Sequence, residues 1–222
     1  MNLAVVLAGG TGSRVGADRP KQFLTVRGRM VVEHAIDAFE QAPGIDSIAV
    51  VVHPDWLDFM LQVASRNAWS KLARVIPGGS ERYMSSVNAL RAYAQAPADT
   101  NIIFHDAARP WVSQDIIADV VAALQQAQAV GVGAPSTDTV WQVDPATRTI
   151  AAVPDRATMF RAQTPQAFRL PVIAEAYRRA LGDPSFHATD DCGVLHRYCP
   201  EVPIRIVPGS EQNIKITFPQ DL

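Results

Sequence analysis

Apolar runs and amphipathic stretches alternate from the amino terminus of the chain to Pro135. The runs are short and rich in Val, Ile and Ala, which is typical of strands buried on both faces. The stretches between them carry apolar residues at helical spacing. Strands separated by helices form βαβ units, so the pattern predicts an α/β fold with a mainly parallel sheet. The predicted strands are 3–8, 47–52, 74–76, 102–105 and 130–134, and the predicted helices are 31–41, 56–66, 80–95 and 113–128.

Three of the predicted helices are preceded by residues suited to an N-cap, namely Asp55, Ser80 and Ser113. Their short side-chain oxygens can accept hydrogen bonds from the first free N–H groups of a helix. In sheets of this class, ligands bind outside the carboxyl ends of the strands. Functional residues are therefore expected in the turns that follow the strands.

The alternation breaks between Ser136 and Arg161. Residues 138–144 and 150–154 have extended patterns and are joined by a polar turn, which predicts a hairpin. We interpret residues 137–160 as a β-arm that leaves a single domain spanning residues 1–222. Trp141 and Val143 share one face of the hairpin, and that face needs a cover. Either a second subunit or the arm's own domain could cover it.

Composition and charge exclude several classes of protein. A chain of 222 residues can bury the core of one domain, and its formal net charge of −2 does not favour nucleic acid or an anionic membrane as a partner. No apolar run reaches the roughly 20 residues that a membrane-spanning helix needs. The apolar amino terminus ends in a glycine turn, unlike a signal peptide. Cys192 and Cys199 lack a metal-binding or redox spacing and predict reduced thiols in a cytoplasmic protein.

A glycine-rich turn follows the first predicted strand, with the sequence Leu-Ala-Gly-Gly-Thr-Gly-Ser-Arg at residues 7–14. Glycines let the backbone approach a ligand closely, and clustered N–H groups in such a turn bind anions. Because Arg14 and Lys21 add positive charge, the turn predicts a nucleotide triphosphate site. It is not a Walker loop, and Val15 occupies the third glycine position of a dinucleotide fingerprint. A tight turn without a ligand, with both cations solvated, is the alternative.

Two further turns carry candidate chemistry. Residues 78–85 place two glycines and the hydroxyls of Ser80 and Ser85 at a helix start, which suits contacts to a nucleotide or is simply a capped helix. Asp106 directly follows a buried strand, where a carboxylate could hold a Mg²⁺ ion carried by a triphosphate. A local ion pair between Asp106 and Arg109 is the alternative.

Cations gather again where the arm rejoins the domain. Guanidinium groups bind phosphate bidentately, so Arg156 and Arg161, with the hydroxyl of Thr164, predict a second, phosphorylated substrate. The apolar pattern around Lys215 predicts a strand near the carboxyl terminus. A single lysine in such a strand is typical of an edge position, where its ammonium group reaches water.

Together these segments resemble, over essentially the whole chain, the cytidylyltransferases that make CDP-activated polyols. Those are the 2-C-methyl-D-erythritol 4-phosphate and ribitol 5-phosphate cytidylyltransferases, and the order and spacing of the motifs match that family. The motifs are residues 7–14, Pro20-Lys21-Gln22, 78–82 with Ser85, 103–110, Asp138-Thr139, Asp155-Arg156, 163–168, 189–191 and 213–217.

The resemblance implies a Rossmann-like three-layer nucleotidyltransferase fold, Mg²⁺ as the cofactor, and a homodimer in which the arm helps to complete the neighbouring subunit's site. The implied CTP-binding residues are Ala8, Gly9, Gly10, Thr11, Gly12, Gly79, Ser85 and Ala107. The implied polyol-phosphate-binding residues are Thr139, Arg156, Thr164 and Lys215, the implied catalytic residues are Arg14, Lys21, Arg156 and Lys215, and Asp106 is implied as the metal ligand.

The implied reaction is an in-line attack of a polyol-phosphate oxygen on the α-phosphorus of CTP, with release of pyrophosphate. Ala107-Ala108-Arg109 is similar to the methylerythritol branch, which makes isoprenoid precursors, and we predict that acceptor. Residues 7–12 are more similar to the ribitol branch, which feeds wall and capsule polymers, so ribitol 5-phosphate stays an alternative. A hexose-1-phosphate nucleotidylyltransferase and a non-catalytic binding subunit are more distant alternatives.

Two positions depart from the family pattern. Val15 stands where a methionine is usual, and an apolar exchange of this kind is expected to be tolerated. The sequence stops at Asp221-Leu222, where the family commonly continues into a final helix.

Overall fold

A computed structural model, which describes residues 1–10 and 19–221, gives the protein a central seven-stranded sheet. Six strands run in one direction, and the strand in third place runs antiparallel to both of its neighbours. From edge to edge the strands are β11 (Arg205–Pro208), β7 (Ala129–Pro135), β10 (Phe160–Arg169), β6 (Asn101–Asp106), β1 (Asn2–Ala8), β4 (Ser47–Val52) and β5 (Leu72–Pro77).

Helices cover both faces of this sheet. Side chains alternate between the faces, so Ala4 and Val6 of β1 pack into one hydrophobic cluster and Leu3 and Val5 into the other. The predicted α/β class, with three layers and a mainly parallel sheet, is confirmed. One face carries α1 (Val31–Gln41), α2 (Leu57–Arg66) and α4 (Gln114–Ala123), and the other carries α3 (Arg82–Ala92), α5 (Leu170–Ala180) and α6 (Asp191–Tyr198).

The predicted elements between the amino terminus and Pro135 are all present, with small changes at their ends. The strand 47–52 and the helix 31–41 have the predicted bounds. Ser113 caps α4, because its side chain accepts a hydrogen bond from Ile116 N at 3.3 Å. Asp55 and Ser80 are wrong as caps. A short 3-10 helix at Pro54–Trp56 precedes α2, and Glu81 is the residue before α3.

The sequence pattern missed two strands of the sheet. β10 contains polar residues such as Gln163 and Gln166 and few large apolar residues, so its sequence lacks the pattern typical of a strand. In the structure its register with β7 shifts between these two residues. β11 is an edge strand, and only Val207 in it is buried. The predicted late strand around Lys215 is wrong, because residues 213–217 have no regular secondary structure.

Residues 137–159 leave β7 and return to β10 outside the central sheet. They contain a two-stranded antiparallel sheet of β8 (Gln142–Val143) and β9 (Ile150–Ala152), followed by a 3-10 helix at Arg156–Thr158. Apolar side chains here are not covered by the described part of the chain, and Trp141 is 60% exposed.

A second small hairpin, β2 (Thr25–Val26) and β3 (Arg29–Met30), precedes α1. The helices of the described residues are all too short or too polar to cross a membrane.

Candidate active site

Several of the predicted site residues lie at the edge formed by the carboxyl ends of the parallel strands. Ala8 ends β1, Asp106 ends β6, and Gly79 follows β5. The turn after β1 begins inside this edge, because β1 lies between β6 and β4. The segment 137–159 begins at the same edge, after the carboxyl end of β7. This is where α/β sheets bind their ligands.

Two glycine turns meet at the side chain of Ser85. A Cβ at Gly9 would lie 2.8 Å from Ser85 Oγ, and a Cβ at Gly78 would lie 2.9 Å from the same atom. Ser85 Oγ accepts a hydrogen bond from Gly79 N at 3.3 Å and is buried. A Cβ at Gly79 would clash with Met84. The absence of Cβ atoms therefore lets the turns after β1 and β5 close around one hydroxyl.

The amide of Gln22 fastens the start of the first glycine turn. Gln22 is buried, and its Nε2 donates to Ala8 O at 2.6 Å and to Gly10 O at 2.8 Å. On the neighbouring strand, Ala107 N donates to Leu7 O at 3.0 Å and holds the ends of β1 and β6 together. Gln22 was part of a motif in the sequence, yet nothing in the pattern marked it as the residue that shapes the turn.

Lys21 links the glycine turn to the carboxyl-terminal segment. It begins a 3-10 helix at Lys21–Phe23, and its Nζ donates to Ile216 O at 2.6 Å. Its ammonium therefore lies against the main chain next to Lys215. Three further predicted residues, Thr11, Gly12 and Arg14, lie outside the described residues.

Asp106 is held between two cations. Arg82 Nε lies 3.0 Å from Asp106 Oδ1, and Lys215 Nζ lies 2.7 Å from Asp106 Oδ2. Burial of the carboxyl would raise its pKa, but the charges and hydrogen bonds of Arg82 and Lys215 outweigh that effect and hold the pKa well below its usual range. Asp106 is therefore a carboxylate at neutral pH, buried in a positively charged setting.

Arg82 is itself held by a second carboxylate. Its Nη1 lies 2.8 Å from Oδ2 of Asp191, which is fully buried, and Tyr177 OH donates to Asp191 Oδ1 at 2.6 Å. Although burial lowers the pKa of Arg82, the charges of Asp191 and Asp106 raise it above its usual value. No local pattern in the sequence indicates a role for Arg82, Asp191 or Tyr177, because the residues that meet here are far apart in the chain.

The carboxyl-terminal segment is tied to the end of β6 by hydrogen bonds of its main chain. Arg109 Nη1 donates to Asn213 O at 2.7 Å, and Ile216 N donates to Ala108 O at 2.8 Å. These bonds place Lys215 beside Asp106. The local ion pair that was the alternative for Arg109 is not formed among the described residues, since Asp106 pairs with Arg82 and Lys215 instead.

Thr164 lies under the site, with a buried hydroxyl. Its Oγ1 accepts a hydrogen bond from Asp106 N at 3.1 Å and lies 3.0 Å from His105 Nδ1. His105 Nε2 lies 2.9 Å from Arg109 O, so this nitrogen carries the ring proton and Nδ1 accepts from Thr164. Burial lowers the pKa of His105 to about 4, which keeps the ring neutral at pH 7. In this arrangement the hydroxyl proton of Thr164 points to His105.

Thr139 and Arg156 lie at the two ends of the excursion and are exposed. Arg156 Nη1 donates to Thr137 O at 3.3 Å, so the two ends are near each other. The hydrogen bonds and ion pairs of the described chain do not connect either residue to the cluster around Asp106. Arg161 is ion-paired with Glu211.

Asp106 is a carboxylate at the carboxyl edge that a metal ion could reach. The described residues contain no group of three or more His, Cys, Asp or Glu side chains that could hold a metal. Each oxygen of Asp106 accepts one hydrogen bond from a cation and retains a second lone pair. One carboxylate oxygen together with phosphate oxygens and water is a ligand set that Mg²⁺ accepts. The residues therefore fit a cation that is carried by a triphosphate.

Comparison with known proteins supplies the family. A model of the family described as 2-C-methyl-D-erythritol 4-phosphate cytidylyltransferase (IspD) matches residues 2–222. The chain is 48% identical over 222 residues to the 2-C-methyl-D-erythritol 4-phosphate cytidylyltransferase of Thermobifida fusca. This alignment covers 99% of this chain and 89% of that protein. It is 38% identical over 221 residues to a bifunctional ribulose 5-phosphate reductase/CDP-ribitol pyrophosphorylase of Haemophilus influenzae, covering 100% of this chain and 46% of that protein.

A solved structure agrees with the sequence relatives. The 4-diphosphocytidyl-2C-methyl-D-erythritol synthase of Anaerococcus prevotii has a TM-score of 0.86 and 27% sequence identity, covering 100% of this chain and 94% of that one. Because the match covers the whole chain, it includes the carboxyl-terminal segment that carries Lys215. On the family match and the identity to its relatives, the chain belongs to the 2-C-methyl-D-erythritol 4-phosphate cytidylyltransferase family, whose members are CTP-dependent enzymes of isoprenoid biosynthesis.

Proposed function

We propose that the protein transfers the cytidylyl group of CTP to 2-C-methyl-D-erythritol 4-phosphate and releases pyrophosphate. The observation that carries the proposal is that the side chains of Lys21 and Lys215 both form bonds where the carboxyl-terminal segment packs on the end of β6. Lys21 binds the carbonyl of Ile216, and Lys215 binds Asp106 at the end of the neighbouring strand. These two ammonium groups come from distant parts of the sequence, and we infer that they neutralise the charge of the two phosphorylated substrates.

In the proposed reaction an oxygen of the acceptor's phosphate attacks the α-phosphorus of CTP. A new P–O bond forms, the bond from the α-phosphorus to the oxygen bridging to the β-phosphate breaks, and that oxygen leaves with pyrophosphate. Both reactants are anions, so catalysis consists of aligning them and stabilising charge on the transferred group. We assign this work to Arg14 and Lys21 at the triphosphate and to Lys215 and Arg156 at the acceptor.

The glycine turns are the proposed cradle of CTP. Residues 8–12 would surround the triphosphate with backbone N–H groups, and Gly79, Ser85 and Ala107 would contact cytosine or ribose. Support comes from Gly9 and Gly78, whose lack of a Cβ leaves room for the hydroxyl of Ser85. Mg²⁺ bound to the triphosphate would neutralise part of its charge, and Asp106 is the residue proposed to contact it.

The acceptor's phosphate is assigned to Thr139, Arg156, Thr164 and Lys215. Support for Lys215 comes from the bonds of its own segment, which hold it beside Asp106. A contact from Thr164 Oγ1 would require the hydroxyl to turn away from His105. Thr139 and Arg156 lie on the exposed excursion, so they would act most directly on a neighbouring subunit.

We further propose a homodimer formed through this excursion. A two-stranded sheet is marginal in water unless its apolar face is covered. Val140, Trp141, Val143, Ile150 and Val153 are all more than 40% exposed in the single chain. A second copy could cover them with the same surface under two-fold symmetry. The two cysteines are free thiols, which supports a reducing, cytoplasmic location.

Ribitol 5-phosphate is the second candidate acceptor. The observation in its favour is the 38% identity to the Haemophilus influenzae protein whose name includes CDP-ribitol pyrophosphorylase. The higher identity of 48% to the Thermobifida fusca protein favours methylerythritol phosphate.

Pyrophosphate release with CTP and each polyol phosphate tests the proposal. The expected result is a kcat/KM for methylerythritol phosphate at least tenfold above that for ribitol 5-phosphate, and little turnover with UTP or dTTP. The reverse order of acceptors would overturn the choice of substrate. Absence of pyrophosphate release with every pair of CTP and polyol phosphate would overturn the enzymatic assignment.

A further inference from the structure

Four charged side chains form an unbroken chain from the protein interior to the site. Oppositely charged atoms alternate along it, at 2.8 Å from Asp191 to Arg82, 3.0 Å from Arg82 to Asp106 and 2.7 Å from Asp106 to Lys215. The side chain of Asp191 is 0% exposed and that of Lys215 is 39% exposed, so one end of the chain is buried and the other reaches the surface. The buried end is therefore the fixed one.

Asp191 is fixed by contacts from two other elements. Tyr177 of α5 donates to its Oδ1, and Gln166 Oε1 of β10 accepts hydrogen bonds from Asp191 N at 3.0 Å and Cys192 N at 2.9 Å. Gln166 Nε2 also donates to Asp190 Oδ2 at 2.8 Å. The first turn of α6 is thus fastened to the sheet, and the carboxylate of Asp191 has one orientation.

We propose that Asp191 is a positioning residue for the reaction, acting through Arg82 and Asp106 to hold Lys215 in place. Arg82 begins α3, directly after the glycine turn at residues 78–79, so its guanidinium also joins the nucleotide side of the edge to the acceptor side. Without the Asp191 charge, Arg82 would have one carboxylate left. Its planar fork could then place two N–H groups on Asp106 and compete with Lys215 for it. The inference rests on the proposed function in one respect, since pyrophosphate release is the reaction whose kcat is measured.

The test is a double-mutant cycle with Asp191→Asn and Asp106→Asn. We expect Asp191→Asn to lower kcat about 10-fold to 100-fold, because a misplacement of about 1 Å costs a factor of this size. Removing a negative charge would by itself favour anionic substrates, so a change of net charge alone would lower KM and leave kcat unchanged. In the Asp106→Asn background the path is already broken, and Asp191→Asn should change kcat less than threefold.

The chain contains a matched control with the same chemistry. Asp183 accepts hydrogen bonds from Tyr198 OH at 2.7 Å and from Arg197 Nη2 at 2.9 Å, but this group is on the surface and the arginine leads to no further charge at the site. Asp183→Asn should leave kcat within twofold of wild type. Equal losses from Asp183→Asn and Asp191→Asn would overturn the inference, as would an equal effect of Asp191→Asn in both backgrounds.

A second readout does not depend on turnover. The chain has only three lysines, Lys21, Lys71 and Lys215, so the acylation rate of each can be followed by mass spectrometry. We expect Asp191→Asn to increase the rate at Lys215 several-fold relative to Lys71, whose Nζ donates to Ala42 O at 2.7 Å. An unchanged ratio would overturn the inference even if no acceptor were turned over, whereas an inactive wild-type enzyme would overturn the proposed function alone.

Folding is checked by circular dichroism and urea unfolding. If Asp191→Asn does not fold, Tyr177→Phe is the substitute, since it retains the charge and removes only the donor to Asp191. We expect a several-fold loss of kcat that again disappears in the Asp106→Asn background. A loss that persists there would show that the residues support the fold and nothing more.

Discussion

At the scale of single residues, the ammonium groups of the site are held by the chain's own acceptors. Lys21 donates to the main chain of the carboxyl-terminal segment, and Lys215 is paired with Asp106. These contacts already restrict the rotamers of the two long side chains in the free protein. Less conformational entropy is therefore lost when a phosphate binds. The cations are therefore preorganised, which is the condition for electrostatic stabilisation of a transition state.

The first prediction concerns Lys21. Lys21→Ala should lower kcat by roughly 10²-fold to 10³-fold, the effect typical of one removed charge-stabilising donor. Lys71→Ala is the matched control, because Lys71 also donates to a main-chain carbonyl. It directly precedes β5 and so lies at the amino ends of the parallel strands, away from the candidate site. Steady-state pyrophosphate release measures both variants. A folded Lys21→Ala protein with nearly wild-type kcat would remove Lys21 from the catalytic set.

His105 gives a prediction for the dependence of stability on pH. Because burial lowers its pKa from 6.5 to about 4, the unfolded chain binds a proton in this window and the folded chain does not. Stability is therefore unaffected above about pH 6.5 and decreases as the pH falls toward 4, by about 2 to 3 kcal/mol at pH 4.5. Asp106 contributes only near and below its ordinary pKa of 3.8.

Urea unfolding at pH 7 and pH 4.5 measures this effect. In His105→Gln the difference in unfolding free energy between the two pH values should shrink by roughly 2 kcal/mol. His53→Gln, which alters a more exposed ring, serves as the control and should retain the wild-type difference. If His105→Gln also retained it, another group would be responsible for the acid sensitivity.

At the scale of elements, the excursion after β7 is the part of the described chain whose packing is least complete. Its two short strands pair only with each other, and its large apolar side chains are exposed. The central strands, by contrast, are buried on both faces. An element of this kind is stable when a partner covers it, which is the reason for proposing that it forms a subunit interface.

Mixing two inactive variants tests shared sites at that interface. If Arg156 acts on the neighbouring subunit, heterodimers of Lys21→Ala and Arg156→Ala carry one intact site and one doubly altered site. An equimolar mixture that exchanges subunits should then recover about a quarter of the wild-type activity, since about half of its dimers are mixed. Sedimentation at the assay concentration should report a dimer. A fully active monomer would contradict the interface, and a dimer without recovery would limit the excursion to a structural role.

At the scale of the whole molecule, the site is assembled from both halves of the chain. The glycine turns and Arg82 come from the first half, whereas Asp191 and Lys215 come from α6 and the carboxyl-terminal segment. The sheet order brings these parts together, because β6 lies between β1 and β10. The proposed nucleotide contacts and the proposed acceptor contacts would thus come from different regions.

This division predicts a split between the two Michaelis constants. Arg156→Ala and Lys215→Ala should raise KM for the polyol phosphate about tenfold or more and change KM for CTP less than threefold, because only the acceptor is proposed to contact them. Arg161→Ala is the control, since Arg161 is paired with Glu211 near the same segment. Equal increases in both constants would show that the two cations also bind CTP.

Much of the fold was predictable because its strands are buried on both faces. A strand such as 47–52 consists almost entirely of apolar residues, and its signal needs no knowledge of its neighbours. β10 was missed because its buried positions include Gln163, Thr164 and Gln166, whose polar groups are satisfied by residues far along the chain. The N-caps Asp55 and Ser80 were wrong because short turns move both helix starts further along the chain.

The amino-acid sequence by itself determined the layered α/β class, the glycine turns and the types of residue available for binding phosphates, because periodicity and glycine content are local properties. Only the tertiary structure decided which charges meet. Arg82 pairs with Asp191 across 109 positions, and Asp106 pairs with Lys215 across the same number. Such pairs depend on strand order and on the path of the carboxyl-terminal segment, and neither leaves a local pattern in the sequence.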